Sequence, residues 1–189
     1  RLKSDVPPIE KRVWSKEHFN CAYQFALTHP YGLGPLLVMD TAISRSELLG
    51  IRWKNIFWDK GCVKIRDGTV ILQDPVSKKY YLHTGGLKNK YRERDIPFSQ
   101  IVCNRLKLQY QSVLFFGKRK GLTSQQINDR FVISNQKGTA MDPNNWVKRC
   151  FNPFMDNLTA QYPDIPALTP HELRHTRATL WWQEGVDLL

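Results

Sequence analysis

The sequence is short of acidic residues: 17 Asp and Glu stand against 28 Lys and Arg, leaving a formal net charge of +11 and a pI near 9.6. That imbalance argues against a basic partner and for a polyanion, nucleic acid first and an anionic membrane surface second. Cysteine is also scarce. Cys21, Cys62, Cys103 and Cys150 stand roughly forty residues apart with no Cys-x-x-Cys or Cys/His ligand spacing, which excludes a disulfide scaffold or a zinc ribbon. A reduced, intracellular setting is expected. Long apolar runs are missing too: stretches such as 35–39 and 113–116 fall far below the roughly 20 residues of a membrane span, and no charged-then-apolar leader opens the chain. Neither export nor membrane insertion is expected.

What is present suits one compact domain: 189 residues, of which 41% are hydrophobic and 12% aromatic. The first dozen residues, RLKSDVPPIEKR, mix charge with a proline pair and lack apolar periodicity, so 1–12 reads as a linker from an upstream domain and 13–189 as the folded unit. Ser15 can cap a helix carrying Phe19, Ala22, Tyr23, Phe25 and Ala26, which must stop near His29-Pro30. Further helices are predicted after Gly34, from Ser44 to Leu49, from Ser99 to Phe116 before a Lys118-Arg119-Lys120 turn, from Asn144 to Gln161, and from Pro170 to Glu184. Between Asn55 and Phe98 the runs IFWD, CVKI, TVIL and YYLH, separated by Asp-Lys-Gly, Asp-Gly and Asp-Pro signals, predict an antiparallel sheet of three or four strands. The fold class expected is α+β and mainly helical.

The most informative stretch is LTPHELRHTRATLWWQEGVDL. Thr169 suits an N-cap and Pro170 the first helical position, which puts His171, Arg174 and His175 at i, i+3 and i+4 on one face. Cations beside the positive end of a helix dipole are disfavoured unless an anion joins them, so a phosphate site and a solvated basic helix start are both open readings. The same residues spell His-Glu-x-x-His, the zinc-protease signature. That reading needs a third ligand downstream, where only Glu184 and Asp187 remain, and it sets Arg174 beside the metal. A second basic cluster lies in residues 78–94, where Lys78, Lys79, Lys88, Lys90, Arg92 and Arg94 face Glu93 alone. A hairpin this basic suits a DNA backbone, and equally suits a sheet edge charged against aggregation.

His171-x-x-Arg174-His175-Thr176, with Ala178-Thr179 and Gly185-Val186-Asp187-Leu188, resembles the second conserved box of the tyrosine recombinases, the phage-integrase family. Thr41 to Trp53, with Glu47-Leu48, Ile51 and Trp53, resembles the first box, and LKNKYRERDIPF is similar to the hairpin that bears the family's lysine. The resemblance spans about residues 13–189. It implies an integrase-like catalytic core that cuts and rejoins DNA through a 3′-phosphotyrosyl link, without metal or other cofactor. Duplex DNA would be the partner, with self-association on DNA in the full-length protein and a place at the nucleoid. Arg174 would bind the phosphate oxygens, His171 would hydrogen-bond and transfer a proton, and Lys88 would protonate the leaving oxygen, with Lys90 the alternative if the register slips by two. Lys90, Arg92, Arg94, His175, Lys148 and Arg149 would contact DNA, and Trp146 and Arg119 would add phosphate contacts.

Two departures stand out. Setting Glu47, Leu48, Ile51 and Trp53 into the first box puts Ser44 where the family's first catalytic arginine belongs, with Arg45 one position late. One residue on a helix is a rotation of about 100°, so Arg45 is expected to leave the site unless the helix start is irregular. The second departure concerns the nucleophile: no tyrosine follows Tyr162, and Tyr162 lies ahead of the His-x-x-Arg box in a QYPDIP turn. The chain as given is therefore expected to bind DNA without cleaving it. A DNA-binding module that has lost catalysis is the alternative.

Overall fold

The computed structural model describes residues 12–87 and 93–186. In chain order the helices are α1 (Lys16–Thr28), α2 (Leu33–Thr41), α3 (Arg45–Gly50), α4 (Gln100–Arg119), α5 (Ser124–Asn128), α6 (Pro143–Trp146), α7 (Asn152–Gln161) and α8 (Pro170–Gln183). Among the described residues five strands fall between α3 and α4: β1 (Ile56–Phe57), β2 (Cys62–Ile65), β3 (Asp67–Gln73), β4 (Tyr80–Gly86) and β5 (Arg94–Pro97).

Leu33, Leu36, Leu37, Val38 and Met39 are all buried, and a helix that is apolar all round has to be surrounded. α1, α3, α4 and α8 pack around α2. Local sequence sets the helix ends. The Ser15 hydroxyl accepts from the His18 N–H at 3.2 Å, and Ser99 caps α4 through the Val102 N–H at 3.3 Å. α1 ends at Thr28, ahead of His29-Pro30 as predicted. α4 runs further than expected, taking in Lys118 and Arg119, and the chain turns at Gly121, whose φ of +75° suits glycine. α5 was not anticipated. It is one short turn closed by a Thr123–Gln126 capping box, too short to show periodicity.

The predicted single sheet is two antiparallel ones. β1, β2 and β5 form a three-stranded sheet, and among the described residues β3 and β4 pair with each other alone. The division follows from what holds β3. The Thr69 hydroxyl donates to the Leu49 carbonyl at 2.9 Å, and α3 comes so close that a Cβ on Gly50 would strike the Asp67 carbonyl. The start of β3 is thus tied to α3, away from β2. The helix expected from Asn144 begins at Pro143 under an Asp142 cap, and Val147–Phe151 between α6 and α7 is π-wound.

Trp14 anchors the described N-terminal end: its indole N–H donates to the Pro166 carbonyl at 2.7 Å and its backbone N–H to the Thr176 hydroxyl at 3.2 Å. The linker expected over 1–12 falls almost wholly on residues 1–11, which lie outside the described residues. Among the described residues no helix is long and apolar enough to cross a membrane.

Candidate active site

The cleft is assembled from two helix starts. At α8, Thr169 and Glu172 close a capping box: the Thr169 N–H donates to Glu172 Oε2 at 2.8 Å and the Glu172 N–H to the Thr169 hydroxyl at 3.2 Å. Glu172 also pairs with Arg12 at 3.4 Å, so the glutamate of the His-Glu-x-x-His run serves the cap, away from the role of a general base. That box fixes the first turn, and with it His171 and Arg174 on the cleft wall.

At α3 a second capping box does the same for Ser44 and Arg45. The Ser44 N–H donates to Glu47 Oε2 at 2.8 Å, the Ser44 hydroxyl to the same oxygen at 2.9 Å, and the Glu47 N–H to that hydroxyl at 3.4 Å. Ser44 is an N-cap in extended conformation, with φ −75° and ψ 160°, and the helix begins at Arg45. The rotation of about 100° per residue therefore does not apply between them, because it holds only between two helical residues. Arg45 stays with Ser44 on the wall of a cleft of about 620 Å³ that His171, Arg174 and Val147 complete. A second cleft of about 690 Å³ adjoins it, sharing Arg45 and Ser46 and reaching Tyr80 and Tyr81 of β4 and Asn144 of α6.

Glu47 is only 3% exposed. Burial alone pushes its carboxyl up, but the Arg94 guanidinium and the Ser44 N–H and hydroxyl outweigh that, and it sits below the usual glutamate value of 4.5. Arg94, expected at the DNA backbone, is engaged by Glu47 within the protein at 2.9 Å.

The remaining expected residues divide as follows. His175 faces His171, their Nε2 atoms 2.9 Å apart. Lys148 and Arg149 are exposed on the π-wound turn next to Val147. Lys88, Lys90 and Arg92 lie outside the described residues. Trp146 is corrected: at 1% exposed, between Gly34 and Phe151, it is core and cannot reach a phosphate. Tyr162 packs edge-on against Phe25 at the end of α7. Sequence reasoning missed Val70 and Ser46 as lining residues, since an apolar strand residue and a small polar helix residue carry no signal of their own.

A cleft with two arginines, a histidine and the positive end of a 14-residue helix on its wall can hold a polyoxyanion such as a phosphodiester. Residues 29–189 match the model of the phage integrase family. A "Tyrosine recombinase XerC-like" protein of Caldanaerobacter subterraneus subsp. tengcongensis is 23% identical over 160 residues, which is 81% of this chain and 39% of that protein. Among solved structures, the Tn1549 transposon integrase in complex with transposon right end DNA superposes with a TM-score of 0.68 at 19% identity, covering 98% of this chain and 57% of that one. XerA recombinase superposes with a TM-score of 0.64 at 15% identity, covering 96% and 54%. The chain thus spans well under two thirds of each of these proteins, and the two solved structures share its fold. With the family's pattern matched over residues 29–189, the chain belongs to the phage integrase family.

Proposed function

We propose that this chain is the phosphate-binding part of a tyrosine recombinase catalytic domain, which holds a phosphodiester of duplex DNA in the cleft between Arg45, His171 and Arg174. The observation that carries the reading is the meeting of two separately capped helix starts, α3 and α8, at one cleft with a guanidinium from each. A pentacoordinate phosphorane gains negative charge in the transition state, and guanidiniums bonded to its non-bridging oxygens stabilise it more than the ground state. Arg174 and Arg45 supply those groups. His171 hydrogen-bonds an oxygen and moves a proton, Lys88 protonates the leaving oxygen, and a tyrosine makes the 3′-phosphotyrosyl link. Lys90, Arg92, Lys148 and Arg149 steer the duplex. The parent protein self-associates on DNA and works inside the cell, at the nucleoid. It uses no metal or other cofactor in this reaction.

A second reading, a family member that binds DNA without cutting it, is favoured by Ser44. Its hydroxyl is committed to Glu47 and stands where the family's first arginine is expected.

Binding tests the partner. Fluorescence anisotropy with duplex DNA should show affinity that falls steeply with salt, as several condensed counterions are released. A flat salt response, or no binding at low salt, overturns both readings.

A further inference from the structure

The two histidines on α8 stand in an arrangement that phosphate binding does not require. Their Nε2 atoms are 2.9 Å apart and their ring planes meet at 89° with centroids 4.3 Å apart. A straight Nε2–H···Nε2 hydrogen bond would hold the centroids about 5.2 Å apart, so the two rings bend toward a common point rather than facing head-on. With metal–nitrogen bonds of about 2.05 Å, two nitrogens 2.9 Å apart subtend about 90° at one ion. Imidazoles meeting an ion at that angle place their centroids about 4.5 Å apart, close to the 4.3 Å found.

We infer that His171, which lines the cleft, and His175 form a two-imidazole chelate for a borderline transition-metal ion, with Ni²⁺ and Cu²⁺ preferred. A right angle is the cis angle of square-planar and octahedral coordination, which suits those two ions, whereas tetrahedral Zn²⁺ would need the nitrogens to open to about 3.3 Å. Hard ions such as Mg²⁺ have no reason to choose two imidazoles. Among the described residues no third His, Cys, Asp or Glu joins the pair. Arg174, one position before His175, and the positive end of α8 both oppose a cation, which makes this a weak, exchangeable site unlike a closed structural one. Bound metal would occupy the Nε2 of His171. If the recombinase reading holds, Ni²⁺ then competes with the DNA phosphate. That consequence rests on the recombinase reading; the chelate itself is tested without DNA.

The probe is Ni²⁺ added to the tag-free chain in a non-coordinating buffer, followed by calorimetry and by paramagnetic broadening of imidazole Hε1 signals in NMR. One ion per chain is expected, with the His171 and His175 signals broadened first and Mg²⁺ without effect. His171→Ala and His175→Gln should each weaken Ni²⁺ binding at least tenfold, His83→Ala should leave it unchanged, and acidification should release the ion as protons compete for the imidazoles. Circular dichroism of each variant confirms that the helix is intact. Absence of Ni²⁺ binding by the folded wild-type chain, or binding that survives both substitutions, overturns the chelate. The salt-dependent DNA binding that tests the recombinase reading would be untouched by either outcome.

Discussion

Arg94 on β5 grips Glu47 on α3 with both terminal nitrogens, Nη1 to Oε1 at 2.9 Å and Nη2 to Oε2 at 3.4 Å, while the same carboxylate closes the capping box on Ser44. One buried acid therefore ties the three-stranded sheet to the turn from which Arg45 enters the cleft. Glu47→Gln should cost about 2 kcal/mol, below the usual 3–5 for breaking a buried pair because Arg94 keeps a third of its side chain in water. The carboxyl lies below its usual 4.5, so its stabilisation is complete above that pH and fades as pH falls through the lowered value. Urea unfolding of wild type and Glu47→Gln at pH 7 and pH 3 checks this: the gap should be present at the first pH and shrink at the second.

The role of the first box turns on Ser44 and Arg45. In a chain carrying a nucleophilic tyrosine, Arg45→Ala should lower the covalent protein–DNA adduct by about 100-fold or more, the usual loss when one preorganised donor to a developing oxyanion goes. Ser44→Arg removes an N-cap at about 1 kcal/mol of stability and should change the adduct little. Adduct formation that is indifferent to Arg45 but rises by orders of magnitude with Ser44→Arg would mean that the arginine is missing and that the chain descends from an enzyme.

Lys88→Ala should leave duplex affinity nearly intact, one phosphate contact among many being lost, and should cripple cleavage in the same tyrosine-bearing chain. Gel-resolved cleavage products are the measurement. Normal cleavage would pass the role of acid to Lys90.

Away from the cleft, Tyr23 bridges α1 to the base of α2 and the cap of α4, its hydroxyl 2.9 Å from Asp40 and 3.0 Å from Ser99. Burial, with Asp40 beside it, pushes this phenol up to about 12. The folded state then holds the proton more tightly than the unfolded chain, so stability declines as pH rises from about 10 toward 12. Tyr23→Phe, measured by thermal unfolding across that window, should flatten the decline while losing some stability at neutral pH.

Much of this architecture was legible in the residues because it depends on short-range rules. Ser15, Thr169 and Pro170 mark helix starts through their own side chains, and α8 begins as expected. The fold class follows from the same patterns: mainly helical, with small antiparallel sheets. The division into two sheets could not be read, because it depends on a contact between Thr69 and the end of α3, twenty residues away. The place of Arg45 turns on whether the helix start is regular, which is a local matter. The sequence suggested a helix that already included Ser44, whereas the serine caps it, and a cap turns the chain differently from a helical residue. Trp146 was read by type, as an aromatic near basic residues, and its burial against Gly34 is a tertiary fact.

The most direct measurement of the central claim is the slope of log affinity against log salt for duplex DNA, taken for the wild-type chain, Arg45→Ala, Arg174→Ala and the double variant. If both guanidiniums meet DNA phosphate in the cleft, each single substitution lowers the slope by about one and the pair by about two, with affinity falling alike on unrelated sequences. Slopes and affinities identical to wild type in all three variants would contradict the cleft as the place where this protein holds DNA.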